Sequence, residues 1–224
     1  MNISSEKNRL CLFHVPKTGG TSLRKALVLA LGQDKCFPTE NNVRSFYFST
    51  RHFSALPPEQ RMKIKLVSGH FTIDHLHDLG DFQACAVLRE PYERAISVVA
   101  HFMRNNPKYR SSNFDDVLEN IANDQITDFY HKRFSGNAYN EKEPSLELAL
   151  NGLRRIDFIG FFYELDAFSK RVAKDVFNIE LNIKRIHVAP EKPLVSQQSK
   201  RKIERLIQRD QDLYESVRQL YAYK

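Results

Sequence analysis

The chain has 224 residues, 42% of them hydrophobic, and carries a net charge of +7 with a pI near 9.3. That length suits one α/β domain with a sizeable core, and the basic balance points to an anionic partner such as a nucleotide, an acidic glycan or nucleic acid. Three cysteines at irregular spacing (Cys11, Cys36, Cys85) argue against a disulfide framework and for a reducing compartment. No apolar run reaches the roughly 18 residues of a membrane span, and the N-terminus lacks the apolar core of a secretory signal.

In chain order, Leu10-Cys11-Leu12 reads as a short buried strand, and Leu23–Leu31, closed by Gly32, reads as a helix. Between them lies Phe13-His14-Val15-Pro16-Lys17-Thr18-Gly19-Gly20-Thr21-Ser22, a strand-to-helix turn with two glycines, three hydroxyls and a lysine. Glycines let backbone approach a ligand, and a helix start favours an anion. The turn is therefore read as a phosphate or sulfate site. A Walker loop places lysine after its last glycine. Here Lys17 precedes both glycines, so that match fails.

Residues 33–60 are punctuated by Pro38, Pro57 and Pro58, with Phe46, Tyr47, Phe48 and Phe53 between. They read either as the border of a substrate cleft or as a surface loop pinned by aromatics. Lys63–His70 reads as a strand ending at Gly69, which places His70 at a carboxyl end, where ligands gather in open parallel sheets. Asp74-His75-Leu76-His77-Asp78 imitates a metal site but reads as a polar helix or turn. Asp81–Leu88 is a buried strand running into Arg89. Pro91 suits the first position of the next helix, and Ser97 lies about two turns further on.

Residues 105–143 read as a helical insertion with helices at 114–123 and 125–134. A short helix at 144–150 stops at Gly152. A buried strand at 155–162, an amphipathic helix at 164–177 and a short strand at 183–188 follow. A long helix spans 196–221, and its run Ser199-Lys200-Arg201-Lys202 reads as a solvated face.

Two of these stretches resemble PAPS-dependent sulfotransferases. Pro16-Lys17-Thr18-Gly19-Gly20-Thr21-Ser22 is similar to their 5′-phosphosulfate loop. Arg89, Pro91, Arg94 and Ser97 match their 3′-phosphate motif, R-x-P-x-x-R-x-x-S. Gly69-His70 falls in the place of the Gly-His of the uronosyl 2-O-sulfotransferases, where the histidine acts as base. The likeness covers about residues 10–31 and 66–110 and is greatest to that carbohydrate group.

The resemblance implies a P-loop-like parallel sheet flanked by helices, forming a single sulfotransferase domain over 1–224. It implies PAPS as donor and PAP as product, with no metal. It assigns the nucleotide to Lys17, Thr18, Gly19, Gly20, Thr21, Ser22, Arg89 and Ser97, and to a basic loop with Lys192, Lys184 and Arg185 as candidates. His70 becomes the general base, and Lys17 the group at the leaving oxygen. His14, Lys108 and Arg110 would face the acceptor, a glycan or glycolipid hydroxyl rather than nucleic acid. Golgi relatives carry an N-terminal anchor, so the chain is expected to be a soluble, bacterial-type cytoplasmic enzyme, with a trimmed Golgi ectodomain as the alternative. A kinase with a nonstandard phosphate loop and a basic nucleic-acid-binding protein are the competing functions.

Overall fold

The computed structural model describes residues 8–39, 50–137, 145–183 and 193–221. Its contacts divide the chain into two compact units: Met1–Leu88 with Arg154–Ile186, and Arg89–Leu153 with His187–Lys224.

The first unit is built on one parallel sheet. Its strands are β1 (Leu10–Phe13), β2 (Cys36–Phe37), β3 (Leu66–Gly69), β4 (Gln83–Leu88) and β5 (Phe158–Phe161), in spatial order β2-β3-β1-β4-β5. Strands covered on both faces read as continuous apolar runs rather than alternating ones. Every residue of β1 and β3 is buried accordingly. Helix α1 (Gly20–Leu31) follows β1, and α2 (Thr50–Ser54) and α3 (Pro58–Lys63) precede β3. On one face of the sheet, Leu10, Leu12, Leu66 and Val87 pack with Leu23 and Leu27 of α1. Leu165, Phe168 and Val172 of a second helix, Leu165–Phe177, complete the layer. Each such side chain contributes roughly 1.5–3 kcal/mol on burial.

The second unit is helical, with α4 (Pro91–Asn105), α5 (Phe114–Gln125), α6 (Phe129–Ser135) and α7 (Leu146–Leu153). The Leu165–Phe177 helix is α8, and α9 (Gln197–Tyr221) returns to this unit. Val98 and Val99 of α4, Val117 and Leu118 of α5, and Ile203 and Ile207 of α9 form its core. Glu90 caps α4, its two carboxylate oxygens accepting from the Tyr92 and Glu93 amides, and Pro91 takes the first helical position as expected.

Several expectations shift. The loop-rich stretch after α1 contains β2, α2 and α3. Two residues are too few to show a pattern, and β2 exists because β3 offers it an edge through Cys36↔Leu66 and Phe37↔Val67. The strand expected from Lys63 begins only at Leu66, because Lys63 closes α3. Gly152 does not stop α7 but lies buried within its last turn. The basic run of α9 is not wholly a solvated face. Ser199 Oγ donates to Asp115 Oδ1 at 2.5 Å and Lys202 pairs with Glu119 at 2.5 Å, tying α9 to α5. The expected strand at 183–188, apart from Ile183, lies outside the described residues. So do Phe46, Tyr47, Phe48, Lys184, Arg185 and Lys192.

Candidate active site

Strand β1 is central, and the chain turns from it into α1 at the sheet's carboxyl edge. In the β1–β3 ladder Phe13 is the partner of Gly69, and the His14 amide donates to the Gly69 carbonyl at 2.9 Å. The next residue of each strand therefore emerges beside the other. His14 and His70 meet with ring centroids 5.0 Å apart, tilted by 30°. His14 Nδ1 lies 3.1 Å from His70 Nε2, and His14 Nε2 lies 3.4 Å from Thr21 Oγ1 on the first turn of α1. His14 is 7% exposed, and His70 is half-buried.

The turn between β1 and α1 is held in unusual backbone. Gly19 has φ 92° and Lys17 has φ 70°. A left-handed conformation costs a non-glycine residue roughly 1–2 kcal/mol. Thr18, fully buried, donates its hydroxyl to the Val15 carbonyl at 2.9 Å and so braces the turn from inside. A Cβ on Gly20 would lie 2.1 Å from His14 Cδ2, so the imidazole can rest against α1 only because position 20 has no side chain. Ser22 is buried. No side chain caps α1, and its first turn carries no acidic residue. The positive end of a helix dipole favours an anion, and Lys17 lies half-buried in the same turn.

Arg24, which the sequence reading did not single out, anchors this helix. It is buried, with Nε donating to Ser68 Oγ at 2.8 Å and a terminal nitrogen donating to the Pro38 carbonyl at 2.5 Å. An arginine in an otherwise apolar helix face was the only available signal.

The Arg89 motif belongs to the second unit. Its α4 N-terminus is already occupied by Glu90, unlike that of α1. Arg89 pairs with Glu93 at 3.1 Å one turn along. Ser97 is half-buried on α4. Arg94 is 1% exposed, with its guanidinium 4.0 Å above the Phe129 ring and a terminal nitrogen donating to the Gln125 carbonyl at 2.8 Å. Burial pushes its pKa down, with Tyr130 and Asp210 opposing. The second arginine of the motif is thus a core residue of this unit.

Sequence reasoning also missed the support behind Arg89. Tyr130, wholly buried, reaches the Arg89 backbone. Asp210 of α9, 1% exposed, accepts from the Tyr130 and His131 amides, and its Oδ1 lies 3.1 Å from His131 Nδ1. A carboxylate from far along the chain thus caps α6.

Lys108 and Arg110 are exposed after α4, with the Lys108 ammonium 5.0 Å from the Tyr109 ring centroid. His75 forms a capping box with Thr72, and His77 stands exposed beside Asp78. Among the described residues no group of His, Cys, Asp or Glu is placed to hold a metal ion. No helix among them is long and apolar enough to cross a membrane.

An α/β chain with a turn of this composition invites comparison with sulfotransferases. The model of the sulfotransferase family matches residues 2–223, and the chain belongs to that family. Among solved structures the chain is similar to mouse sulfotransferase SULT7A1 complexed with PAP. Identity is 14% and TM-score 0.43, over 89% of this chain and 63% of that one. The chain thus spans less than two thirds of the mouse protein. It is also similar to a sulfotransferase from Alicyclobacillus acidocaldarius, at 12% identity and TM-score 0.45, covering 92% and 94% of the two chains. No curated protein matches the chain.

Proposed function

We propose that this protein moves a sulfuryl group from PAPS to a hydroxyl of a carbohydrate acceptor, with His70 as general base. The observation that carries the reading is the β1–α1 turn. An uncapped helix start without acidic residues, a half-buried lysine and a histidine pair occupy one sheet edge.

The residues fit an anionic nucleotide. The left-handed Lys17 and Gly19 and the N-terminus of α1, which has no side-chain cap and no acidic residue in its first turn, form a cradle suited to an anion. PAPS, when bound, supplies an activated sulfuryl group and a phosphate leaving group. Lys17, Gly19, Gly20, Thr21 and Ser22 are the residues that would hold its 5′ end, while Thr18 braces them. Arg89 and Ser97, with Lys192, are assigned to its 3′-phosphate, and Lys108 and Arg110 to acidic sugar. Lys17 stabilises negative charge developing on the leaving oxygen. His70 takes the acceptor proton, a task worth roughly 10²–10⁴-fold. Imidazole suits proton transfer near neutral pH.

PAP release from PAPS, measured over a panel of desulfated glycans and glycolipids, tests the reading. Acceptor-dependent release is expected, and His70→Ala should lose roughly 10²–10⁴-fold of it with PAP affinity unchanged. Alanine at His75 or His77 should be mild. Near-full activity of His70→Ala with a working acceptor would place the base elsewhere.

A further inference from the structure

The His14–His70 contact constrains which nitrogen of His70 can be basic. A single hydrogen lies between His14 Nδ1 and His70 Nε2, which are 3.1 Å apart. If His14 donates it, the Nε2 lone pair of His70 is engaged and its Nδ1 carries the other hydrogen. A neutral His70 in that state has no lone pair to offer a hydroxyl. If His70 donates, its lone pair lies on Nδ1, and His14 must carry its own hydrogen on Nε2, facing Thr21 Oγ1 at 3.4 Å.

Thr21 sits on the first turn of α1, where the turn is suited to an anion. A threonine hydroxyl has one hydrogen and two lone pairs. When its hydrogen points to an anion, only lone pairs remain for His14, which then has to donate from Nε2. The direction of the first hydrogen bond dictates the second.

We propose that Thr21, His14 and His70 form a directional hydrogen-bond chain in which an anion at the α1 N-terminus sets the tautomer of His70, making Nδ1 its basic atom. This inference rests on the base role given to His70 above. In the transfer step the acceptor oxygen forms its bond to sulfur, the bond from sulfur to the phosphate oxygen breaks, and that oxygen keeps the electron pair. The acceptor proton passes to His70 Nδ1. The resulting imidazolium still donates from Nε2 to neutral His14 Nδ1, which stabilises it as an orienting partner does in a catalytic triad. His14 is a positioning residue here. Its burial and its contact with Gly20 keep its ring in register with both partners. The chain of bonds also ties the base to the donor site, since an anion there selects the competent tautomer from the two that are otherwise open.

Long-range ¹H–¹⁵N spectra of histidine-labelled protein, with and without PAP, test the chain of bonds directly. With PAP bound, both His14 and His70 should carry their hydrogen on Nε2, and Thr21→Val should abolish the effect of PAP on the His70 tautomer. A His70 that keeps its hydrogen on Nδ1 with PAP bound overturns the inference. Kinetics supply the second arm. An asparagine amide overlays the Nδ1 position of histidine and a glutamine amide the Nε2 position. His14→Asn should therefore keep kcat within about tenfold, while His14→Gln should lose about a hundredfold, with KM for PAPS little changed in both. Equal losses in the two variants would reduce His14 to packing and overturn the inference. If the spectra show the expected tautomers but His70→Ala remains active, it is the assignment of the base that fails, not the hydrogen-bond chain.

Discussion

The phenol of Tyr130 grips the backbone of Arg89 twice, donating to its carbonyl at 2.6 Å and accepting from its amide at 3.0 Å. Burial raises the Tyr130 pKa, so the hydroxyl stays a donor. Arg89 is the residue at which the chain leaves β4, and its backbone would otherwise lack these partners. Tyr130→Phe should cost about 1–3 kcal/mol of stability, the scale of buried polar groups left unpaired, as read by denaturant melts. It should also weaken PAP binding, because the proposed phosphate ligand loses its anchor. Unchanged PAP affinity in a destabilised Tyr130→Phe would confine the clamp to a folding role.

The Arg89–Glu93 ion pair, at 3.1 Å, sets a competition. On the proposed assignment of Arg89 to the 3′-phosphate, the nucleotide competes with a carboxylate already in place. Arg89→Ala should lose roughly 1.5–3 kcal/mol of PAP affinity, the scale of a charged hydrogen bond, with little effect on AMP. Glu93→Gln should tighten PAP several-fold. Calorimetry finding PAP and AMP bound equally by the wild type would remove the 3′-phosphate assignment.

Arg94 should behave differently from Arg89 despite sharing its motif. It is buried against Phe129 and donates to the Gln125 carbonyl. Arg94→Ala is expected to lower stability by about 2–4 kcal/mol through lost packing and an orphaned carbonyl. Folded Arg94→Ala protein should still bind PAP within a few-fold of wild type. A selective loss of PAP binding in a stable variant would make Arg94 a ligand.

With Lys17 in its proposed place at the leaving oxygen, Lys17→Ala should lower kcat and kcat/KM together, as loss of an interaction made chiefly in the transition state does. A raised KM for PAPS with normal kcat would make Lys17 a ground-state anchor only.

Gly20→Ala should disturb the histidines rather than the helix. The added methyl would lie 2.1 Å from His14 Cδ2. Overpacking of this kind costs about 1–3 kcal/mol. The variant should show altered His14 and His70 resonances, whereas an exposed control, Leu29→Ala on the same helix, should not.

Much of this was legible in the residues. The apolar runs around Cys11 and Cys85 became adjacent buried strands, paired through Cys11↔Ala84 and Leu12↔Cys85. The stripe Leu165, Phe168, Val172 and Val176 became the buried face of α8. The turn around Lys17 announced itself by composition. What could not be read was register. That Phe13 stands opposite Gly69, and hence His14 beside His70, depends on how two strands align across 56 residues of chain. Asp210 was illegible for the same reason, since its polar partners lie some 80 residues earlier. Two-residue β2 had no pattern to show, and Gly152 punctuates nothing because packing outweighs its weak helix propensity.

The cap that Asp210 places on α6 also governs when the molecule can be finished. A ribosome delivers Tyr130 well before Asp210, and β4 well before its neighbour β5. Both units are interleaved in sequence, each closed by a segment made late. The nascent chain therefore holds an unclosed sheet edge and an uncapped helix until its final third emerges. Premature stops in that third should yield protein that aggregates, not protein that has merely lost a tail.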